Sequence, residues 1–316
     1  MFSFMEKNQV DLSIENLSDL TGKVAIVTGA NSGVGKATAK QLARKNCRVI
    51  LACRSLEKGN AAVEEIIKET QNQNVQVMEL DMENFNSVLC FVENFKNKKL
   101  PLHILVNNAA IMSPPNKKSQ DGLEIHFQVN YVSHFLLTTK LVDVLEASAP
   151  SRIVNVGSAI HYAVHSIQSD WSFPMEDSNS KSYCLSKLFL LMFSRKLAHF
   201  LKDKNIYVNS NDTGLVCTQI LKNISNTYGI TVGFLGDTGL KVVGSTPDKG
   251  ALTSLFLAAS PYVESQKLTG VYLVPKGSFD KPSKLVEDDV LCDKLCEVTE
   301  KILLKKLATD YSPMFS

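Results

Sequence analysis

Several features that define particular classes of protein are missing from this chain of 316 residues. The formal net charge is only +2 and no basic run is dense, so the composition does not predict nucleic acid as a partner. No run approaches the roughly 20 apolar residues of a membrane helix. The first 20 residues also lack the basic and apolar regions of a secretory signal. We therefore expect a cytoplasmic protein without a transmembrane segment.

The seven cysteines do not form a disulfide framework. Their number is odd, their spacing is irregular, and no CxxC pair occurs. This pattern favours free thiols in a reducing compartment. Cys292 and Cys296 lie one helical turn apart, but no second pair of ligands is near them. They predict a helix face rather than a metal site, and we expect no metal.

What the chain does have, from residue 23 onward, is an alternation of short apolar runs with longer amphipathic runs. Near-continuous apolar strands between helices are typical of a parallel sheet covered on both faces. We predict a single doubly wound, Rossmann-type α/β domain with about seven parallel strands and helices on both faces. It spans residues 21–280, between an N-terminal extension (1–20) and a C-terminal helical extension (281–316). The predicted strands are residues 23–28, 48–53, 75–80, 102–107, 152–157, 206–210 and 270–274. The predicted helices are 33–45, 56–70, 84–97, 122–147, 182–202, 248–259 and 286–307.

A glycine-rich turn, TGANSGVG at residues 28–35, follows the first predicted strand. Glycines let the backbone turn tightly and let a pyrophosphate approach the amide groups, while the helix N-terminus adds partial positive charge. The spacing is GxxxGxG rather than the commoner GxGxxG, and many glycine-rich turns are only turns. Its place at the first strand–helix junction favours a dinucleotide cofactor. The expected contacts are Gly29, Asn31, Ser32, Gly33, Val34 and Gly35.

The residues that follow the next three strands bear on which dinucleotide binds. NAD-preferring sites place an acidic residue after the second strand, whereas this chain has Arg54 there. A guanidinium can pair with a 2′-phosphate, so NADP(H) is favoured over NAD(H) as cofactor. An exposed arginine without a ligand is the alternative. Asp81, Asn108 and Ala109 end the third and fourth strands at the same edge, where we expect further cofactor contacts.

Tyr183 and Lys187 are four residues apart at the start of a predicted helix, so their side chains share a face. A nearby ammonium lowers the pKa of a phenol, which is about 10 when unperturbed, and makes it a plausible general acid or base. Such pairs are also common by chance on helix surfaces. Ser158 ends the fifth strand and is a candidate hydrogen-bond donor to a carbonyl. Asn130, inside a long helix, is either a polar surface residue or holds water in a kinked helix.

In their order along the chain, these motifs resemble the short-chain dehydrogenase/reductase family over residues 20–275. Residues 28–35 resemble its TGxxxGxG motif and residues 107–110 its NNAG motif. Asn130, Ser158, Tyr183 and Lys187 follow the order of its catalytic tetrad. Residues 101–108 and 126–138 resemble its retinol-dehydrogenase-like branch.

The resemblance implies a role for each of these residues. Tyr183 would exchange a proton with the substrate oxygen, and Lys187 would lower the Tyr183 pKa and bind the nicotinamide ribose. Ser158 would polarise the carbonyl, and Asn130 would position a water. Further cofactor contacts are implied for Tyr183, Lys187, Gly214, Val216 and Thr218.

Three positions depart from the family pattern. Ala110 replaces the last glycine of NNAG, Gly157 stands where the family often has serine, and Thr213 replaces a proline before Gly214. Losing the proline frees the backbone of that loop. These changes bear on cofactor affinity, and they motivate an alternative function: a cofactor-binding scaffold or redox sensor with little turnover.

Members of this branch act on retinoids, steroids, lipid aldehydes and polyprenoids, so the resemblance implies an enzyme that interconverts an apolar carbonyl and its alcohol. Many of them have an N-terminal anchor; this sequence shows none, so we expect a soluble protein or one held peripherally on the endoplasmic reticulum or lipid droplets. The sequence does not distinguish between a monomer and a homodimer as the oligomeric state. Residues 218–244 are expected to cover the substrate, and their apolar members suit such a ligand. These are Ile220, Leu221, Ile224, Tyr228, Ile230, Val232, Phe234 and Leu235.

Overall fold

A computed structural model describes residues 9–112, 118–167, 180–216 and 245–315. Its strands form one sheet in the order β3-β2-β1-β4-β5-β6-β7-β8. Strands β1 to β7 pair in parallel, and β8 pairs antiparallel with β7. The strands are β1 (Val24–Thr28), β2 (Arg48–Cys53), β3 (Val75–Glu79), β4 (Ile104–Asn107), β5 (Ser151–Val156), β6 (Ile206–Asn211), β7 (Tyr272–Val274) and β8 (Ser278–Asp280).

Helices cover both faces of the sheet, as predicted. One apolar cluster lies beneath α1, α2 and α6, and a second lies beneath α3, α4, α5 and α9. The helices are α1 (Gly33–Arg44), α2 (Leu56–Thr70), α3 (Phe85–Asn97), α4 (Ser133–Ala147), α5 (Ser180–Phe200), α6 (Pro247–Ala259), α7 (Pro261–Ser265), α8 (Lys284–Glu287) and α9 (Asp289–Leu307). Across the described ranges, none of these helices has both the length and the apolar composition that crossing a bilayer requires.

The predicted elements are present, with bounds shifted by a few residues. Strand β8 is an addition: it has three residues, SFD, and no apolar pattern, and it forms because the chain turns back along β7. The predicted helix 286–307 is divided at Asp288, whose side chain accepts a hydrogen bond from the Leu291 amide and so begins α9.

The long helix that carries Asn130 is kinked. It begins with a helical turn at Ile125–Phe127, continues as a π-helical segment at Gln128–Val132, and then becomes α4. Every residue of the π-helical segment is buried. Such wide turns are rare and often occur at functional sites.

The chain on either side of the sheet packs against the same core. Leu17 and Leu20 are buried in the cluster beneath α1, and the Val10 amide donates to the Gly277 carbonyl at 2.8 Å. Cys292 and Cys296 lie inside the other cluster, and the described cysteines are free thiols. The division of the chain at residues 21 and 280 stays a prediction.

Candidate active site

A cavity of about 580 Å³ lies at the carboxyl ends of the strands. It spans the boundary between β1 and β4, where the strand order reverses and where doubly wound sheets bind their ligands. Of the predicted catalytic residues, Ser158 lines the cavity, whereas Asn130 lies behind the cavity wall. The predicted cofactor contact Thr218 is outside the described residues. The other predicted contacts that line the cavity are Gly29, Asn31, Ser32, Gly33, Val34, Gly35, Arg54, Asp81, Asn108, Ala109, Tyr183, Lys187, Gly214 and Val216.

The glycine turn has the geometry that a dinucleotide needs. Gly29 and Gly33 have positive φ angles of 65° and 57°, which favour glycine. A Cβ on Gly35 would lie 2.4 Å from Asn108 Nδ2 and 2.6 Å from the Gly29 carbonyl oxygen. The N-cap residue Ser32 makes no side-chain cap bond, so the first amide groups of α1 are left for a ligand. The turn therefore fits a pyrophosphate.

Thr28 holds this turn against the loop after β4. Its Oγ1 accepts hydrogen bonds from the Asn108 and Ala109 amides at 2.9 and 2.8 Å. Asn108 Nδ2 donates to the Thr28 carbonyl at 2.8 Å. The side chain of Asn108 thus supports the cofactor loop. Ala110 also lines the cavity, and its φ angle is not positive, so its methyl group causes no backbone strain.

The adenosine end of the cavity contains an ion pair that the sequence did not reveal. Arg54 Nη1 lies 2.7 Å from Glu83 Oε1, and the Arg54 side chain is 66% exposed. Ser55 Oγ caps α2 by accepting from the Lys58 amide, and Lys58 also lines the cavity. Arg54, Lys58, Asp81 and Glu83 therefore all line the cavity.

Tyr183 and Lys187 project from one face of α5 into the cavity. Lys187 is buried, and its Nζ donates to the Val156 carbonyl at 2.9 Å. Burial lowers the pKa of Lys187 to about 8, against the opposing effect of Asp212. Burial, with smaller contributions from Cys184 and Asp212, raises the pKa of Tyr183 to about 12. The sequence predicted a lowered phenol pKa; the structure shows the opposite direction, because burial removes the phenol from water.

Ser158 begins a 3₁₀ turn, Ala159–Ala163, directly after β5. Its Oγ accepts a hydrogen bond from the Ile160 amide at 3.3 Å. Because that bond uses a lone pair of the oxygen, the hydroxyl proton can still be donated to a ligand in the cavity. This arrangement suits a group that orients a carbonyl oxygen.

Asn130 connects the cavity wall to the helix of Tyr183. Its Oδ1 accepts from the Ile111 amide at 2.8 Å, and its Nδ2 donates to the Ile111 carbonyl at 3.1 Å and to Ser186 Oγ at 3.0 Å. Ser186 Oγ donates to the Tyr183 carbonyl at 2.7 Å. Of the two alternatives for Asn130, the exposed polar face is excluded because the side chain is buried, and the water that Asn130 would position stays a prediction.

Asp212, whose charge acts on Lys187, was not predicted from the sequence. It is buried directly after β6, and its Oδ1 accepts from the Gly214 amide at 3.0 Å. This bond closes a tight turn at Thr213, so the loop is fixed without the proline of the family pattern. Gly214 adopts a φ of 70°, and a Cβ there would lie 3.0 Å from Pro275 Cγ. The available signal was a carboxylate directly after an apolar strand.

Several known proteins are similar to this chain in sequence or in fold. The family model described as short chain dehydrogenase matches residues 23–229. Human retinol dehydrogenase 11 is 39% identical over 78% of this chain and 75% of its own. Human polyprenol dehydrogenase is 39% identical over 77% of this chain and 74% of its own. The solved structure of L-sorbose reductase from Gluconobacter frateurii, complexed with NADPH and L-sorbose, has a TM-score of 0.66 at 22% identity, and the match covers 84% of this chain and 98% of that one.

The fold, the glycine turn and these matches all indicate the same family. The chain belongs to the short-chain dehydrogenase/reductase family, in its retinol-dehydrogenase-like branch, and is an oxidoreductase that acts on CH–OH groups with NAD(P).

Proposed function

We propose that this enzyme reduces apolar aldehydes or ketones with NADPH and that Tyr183 donates the proton. The observation that carries this proposal is the position of Tyr183 and Lys187 on one face of α5, in the cavity that Ser158 also lines. Burial raises the pKa of Tyr183 to about 12, so Tyr183 is a neutral phenol at physiological pH. A neutral phenol can donate a proton to a carbonyl oxygen, which is the proton transfer that reduction requires.

The side chains around Tyr183 orient the substrate and stabilise the charge that develops on the phenol. Ser158 donates its hydroxyl proton to the carbonyl oxygen and so orients the substrate. The Lys187 ammonium, on the same face of α5, stabilises the phenolate that remains after the proton has left Tyr183. Asn130 keeps the wall residue Ile111 attached to α5. When bound, the nicotinamide supplies the hydride.

The walls near Tyr183 favour an apolar substrate. They include Ile111, Met112 and Val129, and Ile160 and Leu215 are 40% and 54% exposed. Two relatives are named for their action on retinol and polyprenol. We infer a retinoid, lipid aldehyde, polyprenal or steroid ketone as the substrate class, reached by peripheral contact with the endoplasmic reticulum or a lipid droplet. Residues 218–244, expected over the substrate, lie outside the described residues.

The cationic side chains of Arg54 and Lys58 support a preference for NADP(H). Arg54 and Lys58 both line the adenosine end, and a guanidinium paired with Glu83 through Nη1 keeps other N–H groups for a phosphate. We expect a lower KM for NADPH than for NADH. Arg54→Gln should raise the KM for NADPH about tenfold and leave the KM for NADH nearly unchanged. A wild-type preference for NADH would overturn the assignment.

The test of the whole proposal is Tyr183→Phe. The wild-type protein is assayed for NADPH oxidation against retinal, long-chain aldehydes, steroid ketones and polyprenals. Tyr183→Phe should lower turnover of the best substrate by at least about 100-fold while NADPH still quenches protein fluorescence with wild-type affinity. If the wild type binds NADPH but turns over no member of the panel, the scaffold alternative replaces the enzyme.

The two thiols described in the cavity wall, Cys53 and Cys184, do not favour the redox-sensor alternative. Burial raises the pKa of Cys53 to about 11 and also raises that of Cys184, and both lie in the cavity wall. A sensor cysteine needs an accessible thiolate. Treatment with dilute hydrogen peroxide should therefore leave NADPH binding unchanged.

A further inference from the structure

A buried histidine that the proposed reaction does not use lies directly behind Ser158. His161 belongs to the 3₁₀ turn that Ser158 begins, and its side chain is fully buried. Its Nδ1 lies 2.7 Å from the Ser158 carbonyl oxygen. The His161 amide also donates to that carbonyl, at 3.2 Å. One residue thus makes two hydrogen bonds to the Ser158 carbonyl oxygen.

The other ring nitrogen of His161 contacts the chain after β8. The Ser283 amide donates to Nε2 at 3.2 Å. Because an amide can only donate, Nε2 must accept and the proton must be on Nδ1, from which it is donated to the Ser158 carbonyl. Burial lowers the pKa of His161 in spite of Ser158, Asp212 and Asp280, which act in the opposite direction. Both nitrogens are therefore satisfied by the neutral ring.

Aromatic contacts fix the plane of this ring. The Tyr162 ring lies against it at 4.0 Å between centroids, and the Tyr272 ring meets it edge-on at 5.3 Å. The Tyr162 hydroxyl donates to the Lys281 carbonyl at 2.6 Å. Two neighbouring residues of the Ser158 turn are thus attached to residues 281–283, which are more than 110 positions away in the sequence.

We propose that His161 is a positioning residue that sets the orientation of Ser158 by connecting its backbone to residues 281–283. The position of the Ser158 hydroxyl depends on the backbone of a turn at the edge of the cavity, and a turn held by one local bond can move. The imidazole adds a rigid link to β8 and the segment after it. The segment at 281–283 is thereby part of the support of the active site. This inference rests on the role proposed for Ser158.

The test separates the two bonds of the ring. His161→Asn places an amide near the position of Nδ1 and keeps the donor to Ser158, whereas His161→Gln places its polar group near Nε2 and His161→Phe keeps only the volume. With NADPH and the best carbonyl of the panel, kcat should fall about 10- to 100-fold in His161→Phe and His161→Gln, because the hydroxyl is misplaced. His161→Asn should also lower kcat, because it keeps the donor to the Ser158 carbonyl but no longer accepts from the Ser283 amide. The dissociation constant of NADPH should not change in any of them.

The matched control is His165→Gln, which changes an exposed histidine four residues further along. It should leave kcat and the melting temperature at the wild-type values. If His161→Phe does not fold, as judged by its melting curve, His161→Gln and His161→Asn decide the question, since each keeps only one of the two bonds and a wild-type kcat in either would overturn the proposed connection.

A double-mutant cycle with Ser158→Ala shows whether His161 acts through Ser158. If it does, His161→Gln should cause no further fall in kcat once Ser158→Ala is present. Equal factors in both backgrounds would overturn the positioning role and show a general structural effect. Wild-type kcat in His161→Gln, with Ser158→Ala inactive, would overturn this inference alone. Full activity of Ser158→Ala would overturn the proposed function and the inference with it.

Discussion

Burial and the Asp212 carboxylate together set the pKa of Lys187 in the candidate active site. Burial pushes the pKa of Lys187 down, and the Asp212 carboxylate pushes it up, with a result of about 8. Tyr183 stays protonated well above that pH, because burial raises its pKa to about 12. The ammonium is therefore the group that titrates in the physiological range, and perturbed values of this kind cluster at functional sites.

The pH dependence of reduction follows from this order. The rate should be constant near neutral pH and should fall as the pH rises through about 8, since Lys187 then loses the charge that stabilises the phenolate. Asp212→Asn keeps the oxygen that accepts from the Gly214 amide but removes the charge that supports the ammonium. It should move the falling limb to lower pH by on the order of one unit. A limb at the same pH in both proteins would contradict the assignment to Lys187.

A second residue-scale prediction concerns the close approach at Gly35. In Gly35→Ala the new methyl group would meet Asn108 Nδ2 and the Gly29 carbonyl, so the cofactor turn must shift. We expect the free energy of unfolding to fall by about 1–3 kcal/mol and the NADPH affinity to fall with it. Gly22→Ala is the control: its φ is +79° but no atom lies within 4 Å of the new Cβ. It should destabilise by about 1–2 kcal/mol and leave NADPH affinity unchanged.

At the scale of elements, the π-helical segment Gln128–Val132 places a polar side chain between a loop and a helix. The buried amide of Asn130 satisfies both backbone groups of Ile111 and also reaches Ser186 on α5. The loop after β4 and the helix of Tyr183 are thereby held at a fixed separation. We therefore expect a residue behind the cavity wall to affect catalysis through this connection.

Removing this amide should affect both stability and rate. Asn130→Ala should lower the free energy of unfolding by about 1–3 kcal/mol, because the amide and carbonyl of Ile111 lose their partner. It should also lower kcat at least tenfold, on the order expected for misplaced groups. Ser186→Ala removes one of the three bonds of Asn130 and should cost only about 1 kcal/mol in urea unfolding. Equal losses in both variants would show that the bonds to Ile111 contribute nothing.

At the scale of the whole molecule, the C-terminal chain closes over the helices of the Tyr183 face. Helix α9 contributes Cys292 and Cys296 to the core, and Thr299 Oγ1 lies 2.8 Å from the Tyr131 hydroxyl. The buried carboxylate of Glu300 accepts hydrogen bonds from the Met314 and Phe315 amides at 2.6 and 2.9 Å. A single acidic side chain therefore anchors the end of the chain.

Glu300→Gln tests this anchor. A neutral amide oxygen accepts more weakly than a carboxylate oxygen, and the Met314 and Phe315 amides both donate to Oε1, so we expect a loss of about 1–3 kcal/mol in the free energy of unfolding. Glu297→Gln is the control on the same helix: Glu297 is exposed and pairs with Lys294 and Lys301. Its effect should stay below about 1 kcal/mol. Equivalent thermal denaturation of the two variants would show that Glu300 does not anchor the terminus.

The sequence by itself determined the alternation of strands and helices, the glycine turn and the positions of the candidate catalytic residues. These features depend on local properties: apolar periodicity, the conformational freedom of glycine, and side chains four residues apart on one helix. Strands β1, β4 and β5 were recognisable because they are buried on both faces. Strand β8 was not, because its three residues have no pattern of their own and pair only after β7 is in place.

Only the tertiary structure decided how the site residues behave. The pairing of Arg54 with Glu83, the charge of Asp212 near Lys187, and the link from Ser158 through His161 to Ser283 join residues that are far apart in the chain. The pKa of Tyr183 also depends on how deeply the folded protein buries the phenol, because burial is the largest cause of its rise. Desolvation and long-range contacts exist only in the folded chain, so no local pattern could have predicted them.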